Sequence, residues 1–144
     1  KIYARLPTMG AYNAPDDIEF SANHEVSVCS LTALDQLMLK TPDALLNGDS
    51  LYKVIQSCVP AIKNVRNLMQ PDLNMLLIAI RIASQGPSYD FTCSCPKCNA
   101  ENEITVNLTH YLDTAETLPN EKVINMDDLL IYLRPYNFHQ RNQQ

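Results

Sequence analysis

Three of the five cysteines lie within six residues, Cys93-Ser94-Cys95-Pro96-Lys97-Cys98, and this cluster limits the local fold more than any other feature. A Cys-Pro-Lys-Cys spacing suits a tight turn that presents two thiols side by side, as in a zinc knuckle. The flanks agree. Tyr89-Asp-Phe-Thr92 is β-prone, Asn99-Ala-Glu101 is turn material, and Ile104-Thr-Val-Asn-Leu108 alternates apolar and polar residues. Residues 88–108 therefore read as a strand, a knuckle and a strand, which is half a zinc ribbon.

A structural zinc site normally takes four protein ligands, and the chain has no second Cys-x-x-Cys. The candidate metal ligands are Cys93, Cys95 and Cys98, with Cys93 on the same strand face as Cys95 by alternation. His110 is a poor fourth ligand. A second strand running back from the turn carries it about ten residues away, roughly 30 Å at ~3.3 Å per residue. Cys29 or Cys58 could close the site only if the fold brings one of them there. Structural Zn2+ is the preferred reading; reduced thiols without metal, and a disulfide or another metal, stand beside it.

The chain of 144 residues suits one domain with an ordinary core, and its 46% apolar content is normal for a globular protein. Net charge is −5 with basic residues scattered, so no nucleic-acid-binding surface is expected. The most apolar stretch, Met75–Ala83, is too short to cross a bilayer and contains Arg81, and no leader precedes it, so no membrane insertion is expected. An odd number of cysteines argues against a secreted disulfide framework and for folding in a reducing cytoplasm. The start at Lys1 and the polar end suggest a piece of a longer protein. His24, His110 and His139 show no His-x-x-x-His spacing and no acid partner nearby in sequence, and the glycine-rich phosphate loops and the Gly-x-Ser-x-Gly elbow do not occur. No enzyme activity is expected. A thiol redox role for Cys95 would need a helix after the first cysteine, where a turn and a strand follow instead.

Residues 1–24, punctuated by Pro7, Gly10, Asn13 and Pro15, read as an extended N-terminal arm, either mobile or lying on a partner. Residues 25–135 read as a single α+β domain and 136–144 as a polar C-terminal segment. Within the domain, Glu25–Cys29 alternates as a strand, and Ser30 caps a helix from Leu31 to about Lys40 whose apolar face is Leu31, Leu34, Leu37 and Met38. Thr41-Pro42-Asp43 opens a short helix ending at Gly48. Leu51–Val59 is a helix with Leu51, Val54, Ile55 and Cys58 on one side, and Pro71 to Ser84 is the longest helix, closed by Gly86 and Pro87. A polar connector covers Thr109 to Asn125, and Met126–Arg134 ends as a strand before Pro135. Pairing Glu25–Cys29 with Leu130–Arg134 would close the domain end to end. The expected architecture is three to four helices with a small antiparallel sheet and a protruding cysteine hairpin.

The order of these elements resembles the baseplate hub protein family of T4-like contractile-tailed bacteriophages. A strand ends in a Ser/Thr turn before the Leu31–Lys40 helix. Ser50-Leu-Tyr-Lys-Val-Ile-Gln-Ser-Cys58 follows, then a Pro-Asp-initiated helix with Ile78-Ala-Ile-Arg-Ile-Ala83. Gly86, an aromatic strand, Cys95-Pro-Lys-Cys98 and Ile104–Leu108 complete the series. The resemblance covers roughly residues 25–135 and is best over Leu76 to Leu108. Gly86-Pro-Ser-Tyr89 stretches the family's Gly-Tyr turn, and Cys93 is additional to its Cys-Pro-x-Cys pattern. The resemblance implies a structural, non-catalytic virion component, made in the host cytoplasm, that assembles with other phage baseplate and tail proteins at the hub. The other readings are a zinc-ribbon adaptor, an assembly chaperone absent from the finished particle, and a thiol redox protein.

Overall fold

The computed structural model describes residues 1–40, 48–116 and 122–137. In order these form β1 (Ile2–Arg5), β2 (Glu25–Val28), α1 (Ala33–Leu39), α2 (Asp49–Cys58), a 3-10 turn (Val65–Asn67), α3 (Gln70–Gln85), β3 (Ser88–Ser94), β4 (Glu101–Asn107), α4 (Leu108–Thr114), β5 (Lys122–Met126) and β6 (Leu129–Leu133). The α+β class is as expected. The strands make three separate antiparallel pairs, β1–β2, β3–β4 and β5–β6, rather than one small sheet.

The core is built on α3. Met69 leads into it and Pro71 occupies its first turn, where a missing backbone donor does no harm; Gly86 ends it at φ 87. Leu73, Leu76, Ala79 and Ile80 recur at helical spacing and are buried against Val54, Ile55 and Cys58 of α2. Val26 and Val28 of β2 and Ala4 of β1 enter the same core, while Tyr3, Ser27, Arg5 and Glu25 share the other face of that pair.

Residues 1–24 differ from the expected arm. β1 pairs with β2 from Ile2↔Val28 to Arg5↔Glu25, and Leu6, Thr8 and Ile18 are buried. The physical reason is a long-range polar anchor. The Thr8 N–H donates to Asp72 Oδ1 at 3.0 Å and the Thr8 hydroxyl to Asp72 Oδ2, with Asp72 fully buried in the first turn of α3. Burial pushes the Asp72 carboxyl above its ordinary value, against the pull of the two Thr8 bonds. Further along, Lys63 N–H bonds Asp17 O and Glu19 N–H bonds Ala61 O, tying the segment to the loop after α2.

Three more expectations need correction. The cap of α1 is Thr32 rather than Ser30, in a capping box: Thr32 N–H donates to Asp35 Oδ2 and Asp35 N–H to Thr32 Oγ1. Ser57 Oγ of α2 also donates to Asp35, so α1 turns its carboxylate inward and leaves Leu34 and Leu37 exposed at 66% and 63%. Only Leu31 and Met38 of the expected apolar face pack on the core. The connector after residue 108 contains α4, capped by Asn107 Oδ1 on Thr109 N–H, and β5. Finally, β6 pairs with β5 and not with Glu25–Cys29, because a two-residue turn closes far more cheaply than a loop of about a hundred residues. The short helix expected after Thr41 lies outside the described residues.

Candidate functional site

The β3–β4 pair is the cysteine hairpin, with register from Ser88↔Asn107 to Ser94↔Glu101. Directly opposed residues share a face, so Tyr89, Phe91 and Cys93 lie with Val106, Ile104 and Asn102. Ser88, Asp90, Thr92 and Ser94 lie with Asn107, Thr105, Glu103 and Glu101 on the other side, where Thr105 Oγ1 donates to Asp90 at 2.6 Å. One face is thus aromatic and thiol-bearing, and the other is polar. The aromatic face is open, with Tyr89 43% and Phe91 39% exposed.

The hairpin projects from the joint after α3. Leu108 N–H bonds Pro87 O at 2.7 Å and closes its base. The Arg81 guanidinium of α3 sits 5.4 Å from the centre of the Tyr89 ring, a cation–π contact between the core helix and the base of the hairpin. Arg81 read in the sequence only as a charge that interrupts an apolar run; its partner Tyr89 was eight residues away and across a turn.

At the tip, Cys95 N–H bonds Ala100 O at 2.9 Å and Asn99 N–H bonds Cys95 O at 2.8 Å. Asn99 takes the left-handed conformation at φ 56, which asparagine tolerates better than most residues. The turn aims the backbone N–H groups of Lys97 and Cys98 at the Cys95 sulfur, and the Cys98 side chain also bonds it. These bonds hold the Cys95 thiol below its ordinary value, and desolvation opposes them weakly. Donated N–H groups on a turn thiolate are what a metal knuckle needs. The geometry therefore fits half of a tetrahedral site.

The three cysteines are not gathered equally. Cys95 and Cys98 meet at the tip, whereas Cys93 sits in the ladder opposite Asn102. Among the described residues, no group of three His, Cys, Asp or Glu side chains is placed to hold a metal. His110 is on α4, past the base of the hairpin. Cys58 is buried in the core and Cys29 is half-buried beside it, joined by Cys29 N–H to Cys58 O at 2.7 Å. Burial, then the nearby Asp35 and Cys29, push the Cys58 thiol up to about 11, so it stays protonated and behaves as a small hydrophobe.

Two further surfaces are conspicuous, and the sequence reading placed both in the fold without expecting either to be exposed. One is the exposed Leu34 and Leu37 of α1. The other is the β5–β6 hairpin, in which Val123 to Met126 and all of β6 are exposed. No described helix is long and apolar enough to cross a membrane.

A family model described as the T4 bacteriophage base plate protein matches residues 30–144. None of the curated proteins compared and none of the solved structures compared matches the chain.

Proposed function

The chain belongs to the T4 bacteriophage base plate protein family, and from that premise we propose that it is a structural, non-catalytic part of the baseplate hub. It assembles there with other hub and tail-tube proteins. The family match over residues 30–144 carries this reading. Its surface supports it: large apolar side chains stand exposed on α1, on the aromatic face of β3–β4 and along β5–β6. Contiguous apolar surface of this kind marks sites that a neighbour covers.

Zinc has a structural part in this reading. Cys95 and Cys98 would take two corners of its tetrahedron, Cys93 would have to leave the β3 ladder to take a third, and the bound ion would supply the cross-link that a two-stranded lobe lacks. What the chain itself contributes is the turn: Asn99 bends it, and the Lys97 and Cys98 N–H groups steady the Cys95 sulfur.

The test is quantitative mass spectrometry of purified baseplates and complete tails, with elemental analysis of the same particles. A fixed ratio of the chain to other baseplate proteins, with near-stoichiometric zinc, is expected. A chain found in assembly intermediates but absent from finished tails would make it an assembly chaperone and refute the hub role.

A further inference from the structure

The β5–β6 hairpin has a register of Lys122↔Leu133, Val123↔Tyr132, Ile124↔Ile131, Asn125↔Leu130 and Met126↔Leu129. Opposed residues share a face. One face therefore carries Val123, Tyr132, Asn125 and Leu130. The other has Lys122 opposite Leu133 at its open end and then Ile124, Ile131, Met126 and Leu129; the five apolar residues are between 36% and 69% exposed. An isolated two-stranded hairpin is marginal in water, and one with an uncovered aliphatic face more so. This one leaves the core and rejoins it where Gln70 N–H bonds Tyr136 O at 3.0 Å.

Its charges are split between its ends. The turn is Asp127-Asp128, and the open end has Lys122 as the first residue of β5 and Arg134 directly after β6. The two aspartates and Arg134 are exposed. A copy laid parallel would bring like charges together at both ends; a copy laid antiparallel opposes acid to base at both. We propose that two copies of the chain pair through the Ile124–Leu133 aliphatic face about a two-fold axis, setting each Asp127-Asp128 turn beside the other copy's Arg134.

The pairing is isologous, as a two-fold interface requires. The five side chains expose roughly 450 Å² per copy, so a pair hides about 900 Å², below a standard stable interface and in the range of a reversible one. A dimer dissociating in the micromolar range is expected.

The test is sedimentation velocity on the full chain from ~1 to ~100 µM at low salt. The chain itself is expected to dimerise with rising concentration. Arg134→Asp alone is expected to weaken the dimer about tenfold, because it sets acid against the acidic turn at both ends, and Asp128→Arg alone several-fold, because the turn keeps Asp127 but loses its net charge and sets a base beside Arg134. An equimolar mixture of the two variants restores pairing, since each contact is again acid to base. Both positions lie outside the core, and far-UV circular dichroism checks that the variants fold. A monomer throughout, a dimer indifferent to either variant, or a mixture that fails to restore pairing would overturn the proposal and leave the hub reading untouched.

Discussion

Replacing Thr8 with valine tests what docks the N-terminal segment. The side chain keeps its shape and loses only its hydroxyl, so the Thr8 hydrogen bond to Asp72 disappears while the Thr8 N–H bond at 3.0 Å stays. Asp72 is fully buried, so water cannot replace the missing donor. A hydrogen bond to a charged group contributes about 1.5–3 kcal/mol, and a buried acceptor left short adds to that, so the expected loss with Asp72 ionised is about 2–3 kcal/mol. With a urea slope of about 1.5–2 kcal/mol/M, the midpoint falls by roughly 1–2 M. The loss depends on pH in a defined direction. The Asp72 pKa is raised above its unfolded value of 3.8 by burial, so its contribution to stability is fully present below 3.8 and is lost as pH rises through the folded pKa. Removing the hydroxyl raises that pKa further. The deficit of Thr8→Val is therefore largest above the folded pKa of Asp72 and shrinks toward the ~1 kcal/mol of a neutral hydrogen bond as Asp72 protonates. Urea unfolding followed by circular dichroism over a series of pH values from acid to mildly alkaline measures both. A loss that stays below about 1 kcal/mol throughout the series, or one that does not shrink toward acid, would refute the anchor.

Asp35 has the opposite sign. Burial alone would raise its pKa, but the bonds from Thr32 and Ser57 outweigh it and leave the carboxyl below 3.8. Its contribution is present above 3.8 and lost as pH falls through the folded pKa. Thr32→Ala is thus expected to cost about 0.5–2 kcal/mol at pH 7 and less in acid, by the same unfolding assay; an unchanged midpoint would sink the capping box. Gly86→Ala puts a side chain where φ is +87 and ψ 173, in open space, so backbone strain alone should cost about 1–3 kcal/mol and lower the thermal midpoint by several degrees. A midpoint unmoved by calorimetry would mean that the joint relaxes. Cys95→Ser should speed amide hydrogen exchange across Tyr89–Leu108 while leaving α2 and α3 protected; unchanged exchange in the lobe would remove the knuckle as its staple.

The parts legible in the sequence are those whose signals are local. Pro71 and Gly86 bracket α3, the spacing of Val54, Ile55 and Cys58 gives the buried side of α2, and the alternation around the cysteines gives β3–β4. The N-terminal segment was not legible, because its docking depends on a bond between residues 64 apart. Asp72 read only as part of the Pro-Asp start of a helix, and nothing near it in the sequence signals burial. A usable sign was present at Thr32-x-x-Asp35, which has capping-box spacing, but Ser30 competed for the cap. The turn of β5–β6 lacks the glycine that usually advertises a hairpin. Asp127 adopts φ 52 in its place, a conformation aspartate tolerates.

The cysteine site was legible as chemistry and only half legible as geometry, and the reason bears on the whole molecule. Among the described residues, those that pack the core come from β1–β2 and the loops around them, the helices α1 to α4, or the stretch between α2 and α3, and none comes from β3–β4 or β5–β6. Each is a two-stranded hairpin, a unit that cannot hold itself well in water. The first has two preorganised thiols at its tip, and the second has an aliphatic face with opposite charges at its two ends. On the two proposals made above, their stability would come from outside the core: from a metal in one case and a second copy's surface in the other. Under those proposals the core would fold first and the two hairpins would gain their full stability on metal binding and association. In a base plate protein, that coupling would let assembly itself set when the contact surfaces become rigid.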